Sequence, residues 1–290
     1  MARLYAHRGA AAELPENTLP SFVRALELGA DALEMDVHLS RDGKVVVSHD
    51  GSGERMAGID RHISHCEAAE LKTWDMGVGF QADDGTRPFA GQGFEMPTLD
   101  EVLESFPDII INVDLKAQTA EMVDAALAVI SAHGADQRVQ LASFHWQNLA
   151  RVRVRGYAGL TSLSPPEIAI ALAGPGLLVR RLPGLGQAAQ IPTRTEFLRQ
   201  KPDDVGLLLG SGGSRLSHLP GAEWFAELPK KLFPSNRWTL RRLQRAGLRV
   251  DFWTVNDPEL ARELQSLGAD GIMTDDPRAI ADALGKAPSA

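Results

Sequence analysis

With 290 residues, 44% of them hydrophobic and 23% charged, the chain is long enough to bury a full core and has the composition of a globular protein. Its formal net charge of -8 argues against a nucleic-acid partner, because phosphate-backbone binding needs a dominant basic surface. The single cysteine, Cys66, excludes an intrachain disulfide and makes a reducing, cytoplasmic setting the expectation.

The chain enters a strand-like segment at once, residues 4–7, with no apolar signal region ahead of it, so secretion is not expected. Helical spacing of apolar residues follows over 18–28, then strands over 32–37 and 44–49. Too few residues separate those two strands for a crossover helix, and Asp42-Gly43 is a two-residue turn signal. An antiparallel hairpin is expected there, with Asp36 opposite His49. Residues 51–97 are rich in Gly and Pro and poorly periodic, which marks an insertion after the His49 strand.

Alternation then resumes with strands over 108–115, 139–143 and 159–164 and helices over 120–133 and 146–155. Long loops are expected between residues 165 and 234, with one strand over 187–191. The apolar tract 168–185 contains Pro175, Arg180, Arg181 and Pro183, which excludes a membrane span and favours a helix packed on the domain. Gly210-Ser211-Gly212-Gly213-Ser214 lacks the Lys of a P-loop and is expected to be a flexible loop. A helix over 237–246, a strand over 249–255, a helix over 258–267 and a strand over 271–274 complete the chain. Asn256 or Asp257 can cap the last of these helices, and Gly268 can stop it. Nine strands with one of them in a hairpin leave eight for a closed parallel ring. The expected architecture is an α/β protein, a TIM (β/α)8 barrel forming a single domain over 1–290.

Three clusters carry chemistry. Glu34 and Asp36, at i and i+2 on one strand, share a face and can offer hard oxygen ligands to a divalent cation beside His49. On the strand Ile109 to Lys116, Asn112, Asp114 and Lys116 line one face while Ile111, Val113 and Leu115 line the other. Polar side chains at the carboxyl ends of barrel strands read as catalytic, so Asp114 can complete a three-carboxylate site and Lys116 can meet a phosphate oxygen. The third cluster is His7-Arg8-Gly9, an imidazole beside a guanidinium at a point where glycine lets a ligand approach. His62, His65 and Cys66 lack standard zinc spacing and are read as structural.

Taken in order, several runs resemble the amino-terminal signature of the glycerophosphodiester phosphodiesterase family: His7-Arg8-Gly9, Pro15-Glu16-Asn17-Thr18, Gly29-Ala30-Asp31, Leu33-Glu34-x-Asp36-Val37, Asp42-Gly43 and Val46-Val47-x-His49-Asp50. Pro97-Thr98-Leu99, Ser143-Phe144, Trp253-Thr254-Val255-Asn256, Gly268-Ala269-Asp270-Gly271 and Thr274-Asp275 extend the resemblance. It implies hydrolysis of small-molecule glycerophosphodiesters to glycerol 3-phosphate and an alcohol, with a divalent cation, Mg2+ or Ca2+. By position, Glu34, Asp36 and Asp114 match metal ligands, His7 and His49 the acid/base pair, Arg8 and Lys116 phosphate contacts, and Trp253 a residue near the substrate. Asp114 stands where the family usually has Glu, a loss of roughly 1.5 Å of reach that bears on metal identity. Lysophospholipase D or sphingomyelinase D-like chemistry, or a silent phosphodiester-binding barrel, are the alternatives.

Overall fold

A computed structural model describes residues 1–173, 185–193, 196 and 237–286. Its organising feature is a ring of eight parallel strands: β1 (Arg3–His7), β2 (Ala32–Leu39), β6 (Ile110–Leu115), β7 (Val139–Ala142), β8 (Leu160–Thr161), β9 (Ala188–Pro192), β10 (Arg249–Trp253) and β11 (Gly271–Thr274). Their order around the ring is β8-β7-β6-β2-β1-β11-β10-β9, and a parallel bridge between Ser162 and Ala188 joins the two ends. This is the α/β barrel expected from the alternation of strands and helices.

Helices α1 (Leu19–Glu27), α5 (Ala120–Ala132), α6 (Trp146–Val154), α8 (Arg237–Arg245) and α9 (Pro258–Leu267) fall where apolar spacing placed them. Thr18 caps α1, and Asp257 rather than Asn256 caps α9, its carboxylate accepting from the Glu259 amide at 2.8 Å. Helices α4 (Leu99–Ser105) and α10 (Pro277–Leu284) are additional to that expectation, and α7 (Pro165–Ala173) overlaps the start of the apolar tract where a packed helix was favoured. The 165–234 stretch opens with α7 and contains β9; the 210–214 run lies outside the described residues.

Outward faces of the strands meet the helices in two apolar layers. One joins Phe22, Leu33, Met35, Val37, Ile111, Val113 and Leu115, and the other joins Leu4, Ala189, Val250, Phe252 and Ile272. Each large side chain buried in this way stabilises the fold by roughly 1.5–3 kcal/mol. Inside the ring the lining is partly polar: the Gln190 side-chain amide donates to Asn112 Oδ1 at 2.7 Å across the barrel. Asn112 therefore faces inward and Ile111 and Val113 outward, the alternation the strand's sequence requires.

The hairpin forms, but in a different register. Strand β3 (Val45–Val47) pairs antiparallel with β2, Val37 facing Val47. The Ser40 amide donates to the Lys44 carbonyl and the Ser40 hydroxyl binds both Asp42 and the Lys44 amide, closing a three-residue loop over Arg41, Asp42 and Gly43. Gly43 takes φ +77°, where its lack of a Cβ is needed. Asp36 consequently pairs with Ser48, whose amide donates to the Asp36 carbonyl at 2.9 Å, and His49 lies one residue past the expected position.

The insertion that follows has its own small core. Met56, Ile63, Leu71, Trp74, Met76 and Met96 are buried together with Val46 of β3. A two-stranded sheet, β4 (Ser52–Gly53) and β5 (Ile59–His62), frames the short helix α2 (Glu54–Ala57) between them.

Candidate functional site

Strand register brings the singled-out residues to one mouth of the barrel. His7 pairs with Glu34 between β1 and β2, and Asp36 pairs with Asp114 between β2 and β6. His7 and Asp114 lie at the carboxyl ends of their strands, and Glu34 and Asp36 reach the same level because β2 continues beyond them into the hairpin with β3.

His7 is held by a hydrogen bond at one ring nitrogen and faces a carboxylate with the other. Nδ1 stands 2.6 Å from Asp275 Oδ1, and Nε2 is 3.9 Å from Glu34 Oε2. Burial and the neighbouring Arg8 disfavour the imidazolium, yet the carboxylates of Glu34 and Asp275 outweigh them and raise its pKa. Burial pushes Asp275 upward, but its hydrogen bonds and the charge of His7 leave it below the usual carboxylate range. Asn256 fixes Asp275 in turn, its side-chain amide donating to Oδ2 at 2.7 Å.

Arg8 adopts φ +60° directly after the strand. Its backbone amide donates to the carbonyl of Glu34, and its guanidinium lies 3.1 Å from Asp36 Oδ2 and 3.3 Å from Glu16 Oε1. Gly9 follows at φ +89°, and a Cβ there would collide with Ser21, so the turn requires glycine. Asn17 does not cap α1; its side-chain amide donates to Asp36 Oδ2 at 3.2 Å.

Glu34 and Asp36 are both buried, and their pKa values move in opposite directions. Burial and the adjacent Asp36 push Glu34 up to about 7. For Asp36, burial is overcome by Lys116 and Arg8, which hold it far below its ordinary value. The Lys116 ammonium lies 2.8 Å from Asp36 Oδ1 and 2.7 Å from Asp114 Oδ2, so it bridges the two carboxylates. Burial disfavours this ammonium, but Asp114 and Asp36 raise its pKa well above that of a free lysine. Among the described residues no three His, Cys, Asp or Glu side chains stand arranged to hold an ion, and at the mouth the lysine occupies the space between two of the candidates. The donor set nevertheless suits a hard divalent cation: all three groups are carboxylates, and Asp114 Oδ1 is buried without any hydrogen-bond partner.

His49 lies two residues past the end of β3. Its Nδ1 is 2.9 Å from Asp50 Oδ1, and its carbonyl is 3.1 Å from His38 Nε2. Trp253 ends β10 and meets Phe144 edge to face at 5.9 Å, while Lys116 Nζ lies 5.8 Å from the Phe144 ring centre. Together these make an aromatic wall beside the ammonium. His62 and His65 touch each other, 5.6 Å between rings, in the insertion and away from this cluster of carboxylates.

Asp275, Asp50, Glu16 and Asn256 complete the site, although no spacing rule in the chain singles them out. The available signal was the resemblance itself: Glu16, Asp50, Asn256 and Asp275 all fall in runs similar to the family's.

The profile of the glycerophosphoryl diester phosphodiesterase family matches residues 7–158 and 223–279. Human lysophospholipase D GDPD1 is 26% identical over 291 residues, spanning 98% of this chain and 86% of its own. A glycerophosphodiester phosphodiesterase of Caldanaerobacter subterraneus subsp. tengcongensis is 27% identical over 280 residues, 95% of this chain and 94% of that one. In structure, an Oleispira antarctica phosphodiesterase solved in complex with the product sn-glycerol-3-phosphate matches at a TM-score of 0.67 and 22% identity, covering 99% of this chain and 98% of the other. The chain is a phosphodiesterase of the glycerophosphoryl diester phosphodiesterase family.

Proposed function

We propose that the protein hydrolyses small-molecule glycerophosphodiesters to glycerol 3-phosphate and an alcohol, with His7 and His49 as its acid/base pair and a divalent cation at Glu34, Asp36 and Asp114. The observation that carries this is the meeting, at one barrel mouth, of two imidazoles each braced by a carboxylate with three further carboxylates and the cations of Arg8 and Lys116. The product complex of the Oleispira barrel agrees with the substrate class. A cytoplasmic setting belongs to the same proposal, supported by the lone, buried Cys66; no described helix is long and apolar enough to cross a membrane.

When bound, Mg2+ or Ca2+ supplies Lewis-acid polarisation of a phosphoryl oxygen. The chain's own groups do the rest. Arg8 and Lys116 attract and orient the anionic diester, and their charges offset the negative charge that builds on the phosphoryl oxygens. Asp275 and Asp50 each fix one ring nitrogen of their histidine, which leaves Nε2 to exchange a proton at the substrate. One imidazole takes the proton of the attacking hydroxyl or water as the new P–O bond forms. The other delivers its proton to the leaving alkoxide as the old bond breaks. Trp253 and Phe144 offer an apolar wall to the non-phosphate part of the substrate.

A panel of glycerophosphodiesters assayed with EDTA, then with Mg2+, Ca2+, Mn2+ or Zn2+ restored, tests the proposal. Turnover is expected to vanish with EDTA and return with one of the first two ions. His7→Ala and His49→Ala should each lower kcat by roughly 10²-fold or more, and kcat/KM should follow a bell-shaped pH profile. Normal turnover in both variants overturns the scheme. A second substrate class is favoured by the human relative named lysophospholipase D. Faster cleavage of a lysophospholipid than of glycerophosphocholine would select it.

A further inference from the structure

The two proposed catalytic histidines are braced in different ways. His7 sits at the end of a ring strand, and its partner Asp275 follows another ring strand and is fixed by a neutral amide, Asn256. His49 lies past the end of β3, outside the eight-strand ring, and its partner Asp50 is the next residue of the same loop. A loop dyad of this kind needs an anchor elsewhere.

Arg55 supplies it. From α2 in the insertion, its Nε donates to Asp50 Oδ2 at 2.5 Å, while Nη1 and Nη2 donate to Glu16 Oε2 at 3.1 Å and Oε1 at 2.6 Å. Glu16 Oε1 also accepts from Arg8 Nη1, and Arg8 lies against Asp36. One planar guanidinium therefore joins the His49 loop to the loop that carries Arg8. The fork matters, because two carboxylates on different segments are gripped by one rigid group.

The insertion core holds α2 in place for this. Met56, next to Arg55, is buried with Trp74 and Met76, and a Cβ on Gly53 would meet the Trp74 ring at 2.5 Å. Val46 of β3 belongs to the same core, so the insertion is tied to the hairpin whose end it braces.

We infer that Arg55 is a positioning residue for catalysis, acting through Asp50 on His49 with Glu16 as its second anchor, and that holding it is the task of the insertion. This rests on His49 having the role proposed above. The Arg55 side chain is 46% exposed, so its ion pairs add little to stability, and a purely structural role would leave turnover untouched.

The test uses the full chain and glycerophosphocholine as substrate. Arg55→Ala is expected to lower kcat by roughly 10- to 100-fold with KM and Tm close to those of the parent. Arg55→Lys, which grips one carboxylate at a time, should recover part of the loss. Combined with His49→Ala, Arg55→Ala should add little, because the group it positions is gone. Unchanged kcat in Arg55→Ala, or the same fold-loss with and without His49, overturns the inference. Full activity of His49→Ala alone overturns the proposed role of His49 instead, and the inference falls with it.

Discussion

Asp275 shows how much of the proposed chemistry depends on one contact. It meets His7 from the far end of the chain, and the shared hydrogen bond fixes which ring nitrogen faces the substrate. Asp275→Asn keeps the size of the side chain but removes its charge and changes its donor pattern. The expected result is a fall in kcat of roughly 10²- to 10⁴-fold, as for other imidazoles that lose a carboxylate partner, with Tm little altered. Turnover at the parent level would show that His7 does not depend on Asp275. The residue types of this site were legible: the carboxylates Glu34, Asp36 and Asp114, the cations Arg8 and Lys116 and both histidines could be named from motif and strand phase. Which atoms meet was not. The Lys116 ammonium bridges Asp36 and Asp114, a consequence of side-chain reach that strand phase leaves open.

At the scale of elements, the misses have physical signals of their own. Helix α4 begins with a complete capping box: Thr98 accepts from the Glu101 amide at 3.2 Å, and the Glu101 carboxylate accepts from the Thr98 amide at 2.9 Å. Leu99, Val102, Leu103 and Phe106 bury one face of it, a spacing readable from the chain but hidden at the edge of a Gly- and Pro-rich stretch. Thr98→Ala removes the cap side chain, and a loss of about 1 kcal/mol in unfolding free energy is expected, read as a lower urea midpoint at unchanged slope. An unaltered midpoint would show that neighbouring contacts hold the helix start. The hairpin register failed for a similar local reason. The Asp42-Gly43 signal is genuine, but Ser40 closes the turn one residue early, and a single-residue shift decides what faces Asp36.

Across the whole molecule, the polar lining of the ring has an energetic consequence. Asp251 on β10 is fully buried beside Arg249, at 2.8 Å from its Nε. Burial outweighs that partner and lifts the carboxyl from 3.8 to about 6. An acid whose folded pKa is raised favours the folded state most when protonated. Its contribution is therefore full below about pH 4 and is lost as pH rises through about 6. The shift corresponds to roughly 3 kcal/mol. Urea unfolding at pH 4 and pH 7 should show this as a pH dependence that shrinks by on the order of 2–3 kcal/mol in Asp251→Asn. Identical pH dependence in parent and variant would show that Asp251 is not buried as an acid.

The sequence by itself determined the strand and helix alternation, the barrel class, the hairpin and the chemical inventory of the site, because periodicity, turn residues and strand phase are local properties of a chain. Only the tertiary structure decided that Asp275 braces His7, that Lys116 stands between two carboxylates and that Arg55 joins the loops of His49 and Arg8. Such pairings follow from closing the ring and folding the insertion against it, which bring together groups with no local relation in the chain.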